Sequence, residues 1–123
     1  MNLYASREDY LEAILVLYKK FGSVRSVDIA RHMGVSKPSV CHAVNVLCDG
    51  GFLTKDDKHF ISLTEEGRKV AEKIYERHKF FKEQLISAGV RPNIAETEAC
   101  RIEHCISDES FLKLKERREK GKG

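Results

Sequence analysis

The stretch SVDIARHMGVSKPSVCHAVNVL, residues 26–47, constrains the fold more than any other part of the chain. It holds two amphipathic segments separated by a short turn. Ala30 is small, as two crossing helices require, Gly34 permits a left-handed turn, and Val40 is the apolar residue that would fix the second helix. The offsets of four and six residues between them match a helix-turn-helix. A generic helical hairpin is the alternative.

Two short apolar runs follow this motif and favour the first interpretation. Residues 52–54 and 60–63 predict two strands, and the polar residues 55–58 between them predict the turn of a hairpin. A helix-turn-helix followed by two strands is a winged helix. We therefore predict a winged helix-turn-helix domain over residues 1–63.

The remaining periodic segments predict helices. The first covers residues 6–21 with Ser6 as its cap, and a long one runs from the cap Thr64 to about residue 88. A fifth helix begins at a capping box formed by Asn93 and Glu96 and ends near Ile106, and a last one follows from residue 107. The expected fold is mainly α, with an all-helical dimerisation domain over residues 64–123.

Composition limits the class of protein. With 41% apolar and 33% charged residues, the chain resembles a soluble globular protein, and no run approaches the roughly 18 apolar residues of a membrane span. The acidic start is unlike a secretion signal, so we expect a cytoplasmic protein without a membrane partner. Four cysteines without a C-x-x-C pair argue against a disulfide framework, and Cys48 and Cys105 are expected to be core residues.

The net charge of +3 is weak evidence for a nucleic-acid partner. The tail, residues 113–123, holds six basic and two acidic residues, whereas the rest of the chain holds 16 basic and 17 acidic ones. We expect this tail to be a frayed helix end. The charge alone therefore does not decide whether the protein binds DNA.

The predicted fold itself indicates where double-stranded DNA would bind. In a winged helix-turn-helix, the start of the recognition helix enters the major groove and the wing reaches backbone phosphates. The polar or basic residues at these places are the candidate DNA contacts: Arg25, Ser36, Lys37, Pro38, Ser39, His42, Lys55 and Lys58. For each of them, solvated surface is the alternative.

The segment EACRIEHCIS contains a candidate metal site. On a helix, Cys100, Glu103 and His104 stand at i, i+3 and i+4 and project from one face. A metal ion requires such convergence, although an ordinary surface helix can also produce it. His78 lies in the apolar stripe of the long helix, where a core histidine is the alternative. Asp9 and Glu12 share a face of the first helix, where Asp9 could instead complete a capping box with Ser6.

These motifs together resemble the diphtheria toxin repressor family of iron- and manganese-dependent transcriptional repressors, in its short form. The resemblance rests on EDYLEAI, VDIARHMGVSKPSV, the wing, the RH of the long helix, and EACRIEH with SDE behind it, and it covers nearly the whole chain. It implies a DNA-binding domain, a helical dimerisation domain, a homodimer that binds palindromic operator DNA, and metal ligands from both domains.

Carried over by position, the resemblance implies a ligand set. Five residues match the manganese-type regulators: Asp9, Glu12, His78, Glu103 and His104. Cys100 matches the iron type instead, and Lys82 and Glu96 replace a carboxylate and a histidine of the iron type's ancillary site. We expect Mn²⁺ first and Fe²⁺ next, while the thiolate would also accept Zn²⁺ or Co²⁺ in vitro.

The expected function is a metal-dependent repressor of metal uptake genes, with the metal as corepressor. The chain lacks the H-E-x-x-H run and the nucleophile-and-base patterns of enzymes, so we expect no catalysis. The alternative is a winged-helix regulator that senses oxidation through Cys100 or Cys105, or that needs no metal. A metallohydrolase and a pure dimerisation adaptor fit less well, because both leave the helix-turn-helix unexplained.

Overall fold

The computed structural model describes residues 7–122, without the side chain of Lys122. The predicted cap Ser6 lies outside this range, so its predicted capping box with Asp9 lies outside the described residues too. The elements in chain order are α1 (Arg7–Phe21), α2 (Ser26–Met33), α3 (Lys37–Asp49), β1 (Leu53–Lys55), β2 (Ile61–Leu63), α4 (Glu65–Ser87), α5 (Pro92–Ile102) and α6 (Asp108–Lys122). Within the described residues, no helix has the length and apolar character needed to cross a membrane.

The chain forms two compact units, one ending at Lys73 and the other beginning at Ile74. The division falls inside α4. The predicted domains, 1–63 and 64–123, stay a prediction.

The first unit contains the predicted helix-turn-helix. Gly34 adopts a left-handed φ of +69° after α2, and its backbone N–H donates to the carbonyl of Ala30 at 2.9 Å. The side chain of Ser36 caps α3 by accepting a hydrogen bond of 3.2 Å from the N–H of Ser39. Ile29 and Val40 are fully buried, so each helix contributes to one apolar core. The predicted fold class is confirmed.

The wing is a two-stranded antiparallel hairpin in which Leu53 pairs with Leu63. Its turn is ordered by Asp56, whose Oδ1 accepts hydrogen bonds of 2.9 Å from the backbone N–H groups of Lys58 and Phe60. The strand β2 is also tied to the segment before α2, because the N–H of Ile61 donates to the carbonyl of Val24 at 2.7 Å. The wing is therefore anchored to the helix-turn-helix.

The start of α4 is fixed against the end of the helix-turn-helix. The hydroxyl of Thr64 accepts from the N–H of Gly67 at 3.1 Å and donates to the carbonyl of Gly51 at 2.7 Å. A Cβ atom at position 67 would overlap the carbonyl oxygen of Phe52. Glycine is therefore required at this position, where the helix and the chain before β1 come into contact.

The second unit has an aromatic core. The rings of Phe80 and Phe111 meet edge to face with centroids 5.4 Å apart, and Phe81 and Ala99 complete the buried cluster. The basic tail is helical to Lys122, and the expectation that its end is frayed stays a prediction. Within it, Lys115 pairs with Glu76 of α4 and Arg118 pairs with Glu83.

Two further details of the second unit differ from the sequence-based expectation. The helix α5 begins at Pro92 and ends at Ile102, and Arg91 rather than Asn93 occupies its N-cap. Because Asn93 is not the N-cap, Glu96 does not form the predicted capping box, and its side chain can make contacts with other helices. Cys105 lies exposed in the turn that follows α5, so the expectation that it is a core residue is wrong. Cys48 is half-buried.

Candidate metal centre

The helix α4 and the end of α5 bring three predicted ligands together. One donor atom from each of His78, Cys100 and Glu103 lies within 4.8 Å of the other two. His78 Nδ1 is 2.9 Å from Glu103 Oε2. His78 and Glu103 are buried, whereas Cys100 is exposed at the edge of the group. The local fold thus creates a partly buried cluster with one sulfur, one nitrogen and one oxygen donor.

Glu103 shows why this cluster fits a cation. The residue has no exposed surface, and its Oε1 atom receives no hydrogen bond from any residue that the structure describes. His104 Nε2 lies 3.3 Å from the same oxygen. A buried carboxylate oxygen without a hydrogen-bond donor is costly, and a metal ion would offset that cost. The residues present fit a divalent ion that accepts oxygen, nitrogen and sulfur ligands.

The surroundings of His78 favour the doubly protonated, positively charged form of its imidazole ring. Hydrogen bonds that the ring makes with the thiol of Cys100 and with the accepting carboxylate of Glu103 raise the pKa of His78 to about 11, although desolvation by burial acts in the opposite direction. At neutral pH the cluster is therefore a buried carboxylate paired with an imidazolium. A metal bound through His78 must displace this proton.

A second carboxylate contacts the other side of the ring. Glu96 Oε1 lies 3.0 Å from His78 Nε2, and Glu96 Oε2 lies 2.8 Å from the ammonium of Lys82. Partial burial would raise the pKa of Glu96, but the hydrogen bonds from Lys82 and His78 outweigh this effect and lower it. Glu96 is therefore an anion held between two cations.

The turn that carries Glu103 and His104 is held by Arg77. This guanidinium is buried, donates to the carbonyl of Ile106 at 2.8 Å and to that of Glu103 at 3.4 Å, and pairs with Asp108. Backbone carbonyls that follow the end of a helix need such donors. Arg77 therefore fixes the place where α5 ends and where the two ligand candidates stand.

All eight candidate DNA contacts lie in the first unit, and all are exposed: Arg25, Ser36, Lys37, Pro38, Ser39, His42, Lys55 and Lys58. The hydroxyl of Ser36 also has a structural role, because it lies 2.8 Å from that of Ser39 and caps α3. The guanidinium of Arg25 stacks on the ring of Phe60, 4.2 Å from its centroid. Their contact with DNA stays a prediction.

Comparison with known proteins identifies the family. The model of the iron dependent repressor N-terminal DNA binding domain matches residues 2–59. The model of the iron dependent repressor metal binding and dimerisation domain matches residues 64–120. The chain belongs to the iron-dependent repressor family. This confirms the resemblance inferred from the motifs.

Individual iron-dependent repressors and related regulators resemble the chain over most of its length. The transcriptional regulator MntR of Escherichia coli is 36% identical over 104 residues, which cover 85% of this chain and 67% of that protein. The crystal structure of T. acidophilum IdeR gives a TM-score of 0.76 at 31% identity and covers 93% of this chain and 54% of that one. The manganese regulator SloR gives 0.75 at 27% identity, covering 90% and 55%. The chain thus spans about half the length of these two solved chains.

Not every ligand implied by the resemblance to the iron-dependent repressors falls in the second unit. Asp9 and Glu12 lie on α1 in the first unit, both half-buried and one turn apart. Their role as ligands, like that of His104, stays a prediction. The structure groups only three of the six candidates within the second unit, with His104 beside Glu103.

Sequence reasoning missed two residues of this region of the chain. Arg77 lies three residues after Ile74 and four before Phe81, so helical spacing places it on the apolar side of α4. A basic residue at such a position is a signal for a buried partner. The spacing of Glu96 from Asn93 predicts a helix cap, and only the tertiary structure gives the contact of Glu96 with His78.

Proposed function

We propose that this chain is a DNA-binding transcriptional repressor with a divalent metal ion, Mn²⁺ or Fe²⁺, as its corepressor, and that it controls metal uptake genes. The observation that carries the proposal is the buried Glu103 carboxylate, whose Oε1 receives no hydrogen bond from the described residues, beside His78 and Cys100. The same chain carries a complete winged helix-turn-helix. In this proposal one chain therefore combines a cation-binding site with a DNA-binding domain.

In this proposal His78, Cys100 and Glu103 hold the metal, and Asp9, Glu12 and His104 are further ligands. When bound, the metal supplies the positive charge that balances Glu103 in place of the His78 proton. Glu103 contributes a hard oxygen donor and His78 an imidazole, which suit Mn²⁺ and Fe²⁺, while Cys100 contributes the softer thiolate. The similarity to the manganese regulator SloR supports Mn²⁺ among these ions.

The DNA-binding part of the proposal rests on α3 and the wing. Lys37, Ser39 and His42 lie exposed near the start of α3, where a recognition helix meets base edges and phosphates. Lys55 and Lys58 would neutralise phosphates beside the groove. A homodimer would present two such helices about 34 Å apart to a palindromic operator. Such a repressor acts on chromosomal DNA in the cytoplasm and needs no catalytic step.

Metal acts as a corepressor if it binds the DNA-competent arrangement better than the others. This requires no new contact between metal and DNA. The family's metal-binding domain favours this mechanism over the alternative in which Cys100 or Cys105 senses oxidation. Peroxide treatment followed by thiol titration would separate the two.

The test is operator binding as a function of metal. A palindromic operator is first selected from a random DNA library with the Mn²⁺-loaded protein, and binding is then followed by fluorescence anisotropy with Mn²⁺, with Fe²⁺ under anaerobic conditions, and with chelator. We expect chelation to weaken binding by at least about tenfold, the lower range of allosteric coupling. Equal affinity with and without metal would overturn the corepressor proposal.

A further inference from the structure

The imidazole of His78 lies between two carboxylates that belong to the same helical segment. Its Nδ1 atom is 2.9 Å from Glu103 Oε2, and its Nε2 atom is 3.0 Å from Glu96 Oε1. Glu103 is fully buried, whereas the side chain of Glu96 is 51% exposed. The two ring nitrogens therefore meet different surroundings, one in the interior of the cluster and one towards its surface.

A histidine that binds a metal uses only one of its nitrogens. The ligating nitrogen gives up its proton, and the other retains an N–H group, which donates to a carboxylate or carbonyl and thereby fixes the tautomer and the ring orientation. Glu103, the buried carboxylate of the cluster, faces Nδ1. The nitrogen left to keep its proton is then Nε2, and its acceptor is Glu96.

Glu96 is itself held in place. Its second oxygen, Oε2, lies 2.8 Å from the ammonium of Lys82, four residues after His78 on α4. The carboxylate thus has one oxygen on Lys82 and the other on His78. Because the ammonium already balances its charge, Glu96 is a poor ligand for a second cation. Its geometry is that of a group which orients the histidine.

We propose that Glu96, held by Lys82, is a positioning residue for metal binding: it accepts the Nε2 proton of His78 and leaves Nδ1 to the metal. This inference rests on the proposed function, since it assumes that His78 is a ligand. It adds a residue that lies outside the six ligand candidates. It also assigns a role to the Lys82–Glu96 pair.

The first experiment determines which nitrogen of His78 binds the metal. The full chain, labelled with ¹⁵N, is loaded with diamagnetic Zn²⁺, and long-range ¹H–¹⁵N spectra of its histidine rings are recorded, with His78→Gln used to assign the signals. We expect metal-bound Nδ1 and protonated Nε2. A Zn²⁺-bound Nε2 with a protonated Nδ1 would overturn the inference, and this result needs no variant of Glu96.

The second experiment compares Zn²⁺ and Mn²⁺ affinity among variants. Loss of an outer partner of a ligating histidine typically costs 10- to 100-fold in metal affinity, so we expect about that loss in Glu96→Leu. Glu96→Gln retains a carbonyl acceptor and should keep the Nδ1-bound tautomer with a smaller loss. Lys82→Met should lose no more than about fivefold, as expected for one partly exposed ion pair. The control is Glu98→Leu, which removes an exposed carboxylate from the same helix.

The outcomes separate this inference from the proposed function. If the unaltered chain binds neither Zn²⁺ nor Mn²⁺, both fail. If it binds metal tightly but Glu96→Leu matches Glu98→Leu in affinity and in His78 tautomer, only the role of Glu96 fails. Thermal melts of the variants identify any loss caused by unfolding, and the tautomer is a readout that a merely structural role for Glu96 would not change.

Discussion

Arg77 Nη1 donates a hydrogen bond of 2.8 Å to the carbonyl oxygen of Ile106, 29 residues further along the chain. The same guanidinium contacts the carbonyl of Glu103 and the carboxylate of Asp108, and it lies 5.4 Å from the centroid of the Phe111 ring. The buried guanidinium of Arg77 therefore holds the turn between α5 and α6 in place. Since Glu103 begins that turn, the position of the buried carboxylate depends on Arg77.

Replacing Arg77 should destabilise the second unit. Arg77→Met keeps most of the apolar volume but leaves two carbonyl groups without a donor, and we expect a loss of about 3 kcal/mol in the free energy of unfolding. Amide hydrogen exchange of α4 and α5 would measure it. Arg101→Met, a change at an exposed position on α5, should stay within about 0.5 kcal/mol. Equal protection in the two variants would show that Arg77 does not hold the turn.

The protonated His78 makes stability depend on pH. Its pKa is about 11 in the folded chain and 6.5 for a free histidine side chain, so the folded state binds the extra proton between these values. The stabilisation is complete below pH 6.5 and is lost as pH rises towards 11. In chelator, stability should fall by up to about 1.4 kcal/mol per pH unit between pH 7 and 10 from this residue.

The comparison that isolates this effect is His78→Gln, which has no proton to lose. Urea unfolding at pH 7, 8, 9 and 10 would give both stability curves, and their difference removes the contributions of other titrating groups. Parallel curves for the two proteins would contradict the raised pKa of His78.

The parts of the fold that could be predicted from the sequence depend on local rules. Ala30, Gly34 and Val40 each satisfy a steric demand of the helix-turn-helix that is set within eleven residues, and the cap at Thr64 needs only its own neighbours. The candidate ligands Cys100 and Glu103 were also found by local spacing. They remain close in space although α5 ends at Ile102, because Glu103 still has helical dihedral angles.

The parts that could not be predicted are decided by tertiary contacts. Asn93 and Glu96 have the spacing of a capping box, but Arg91 is the N-cap of α5 and Glu96 contacts His78 and Lys82 instead. The basic tail looks like a frayed end, yet Lys115 and Arg118 find acidic partners on α4. In both cases the competing partner is far away in sequence, so the local periodicity of the sequence does not reveal the contact.

The exposure of Cys100 makes a direct test of its role possible. A glutamate at this position can stay hydrated, so Cys100→Glu should fold with a stability within about 1 kcal/mol of the unaltered chain. If the thiol is a ligand, replacing it by a hard oxygen donor should shift the ratio of Mn²⁺ to Zn²⁺ affinity towards Mn²⁺ by on the order of tenfold. Metal titrations and thermal melts give the two quantities.

The matched control for this variant is Cys105→Glu, which places the same charge at another exposed cysteine, in the turn after α5. It should leave the metal ratio unchanged. A folded Cys100→Glu protein with an unchanged ratio would remove Cys100 from the ligand set, and the remaining candidates would have to hold the metal without it.

The recognition helix gives the last prediction. Lys37 is exposed in the first turn of α3, and its ammonium is proposed to contact a phosphate. Lys37→Gln should weaken binding of the metal-loaded protein to all DNA sequences alike and reduce the slope of log K against log salt by about 1, because one fewer counterion is released. Lys113→Gln removes the same charge from α6 and should leave the slope unchanged. Anisotropy titrations at several salt concentrations would measure both slopes. If the Lys37 variant retained the full slope, its side chain would be solvated surface, and the phosphate contacts would have to come from the wing.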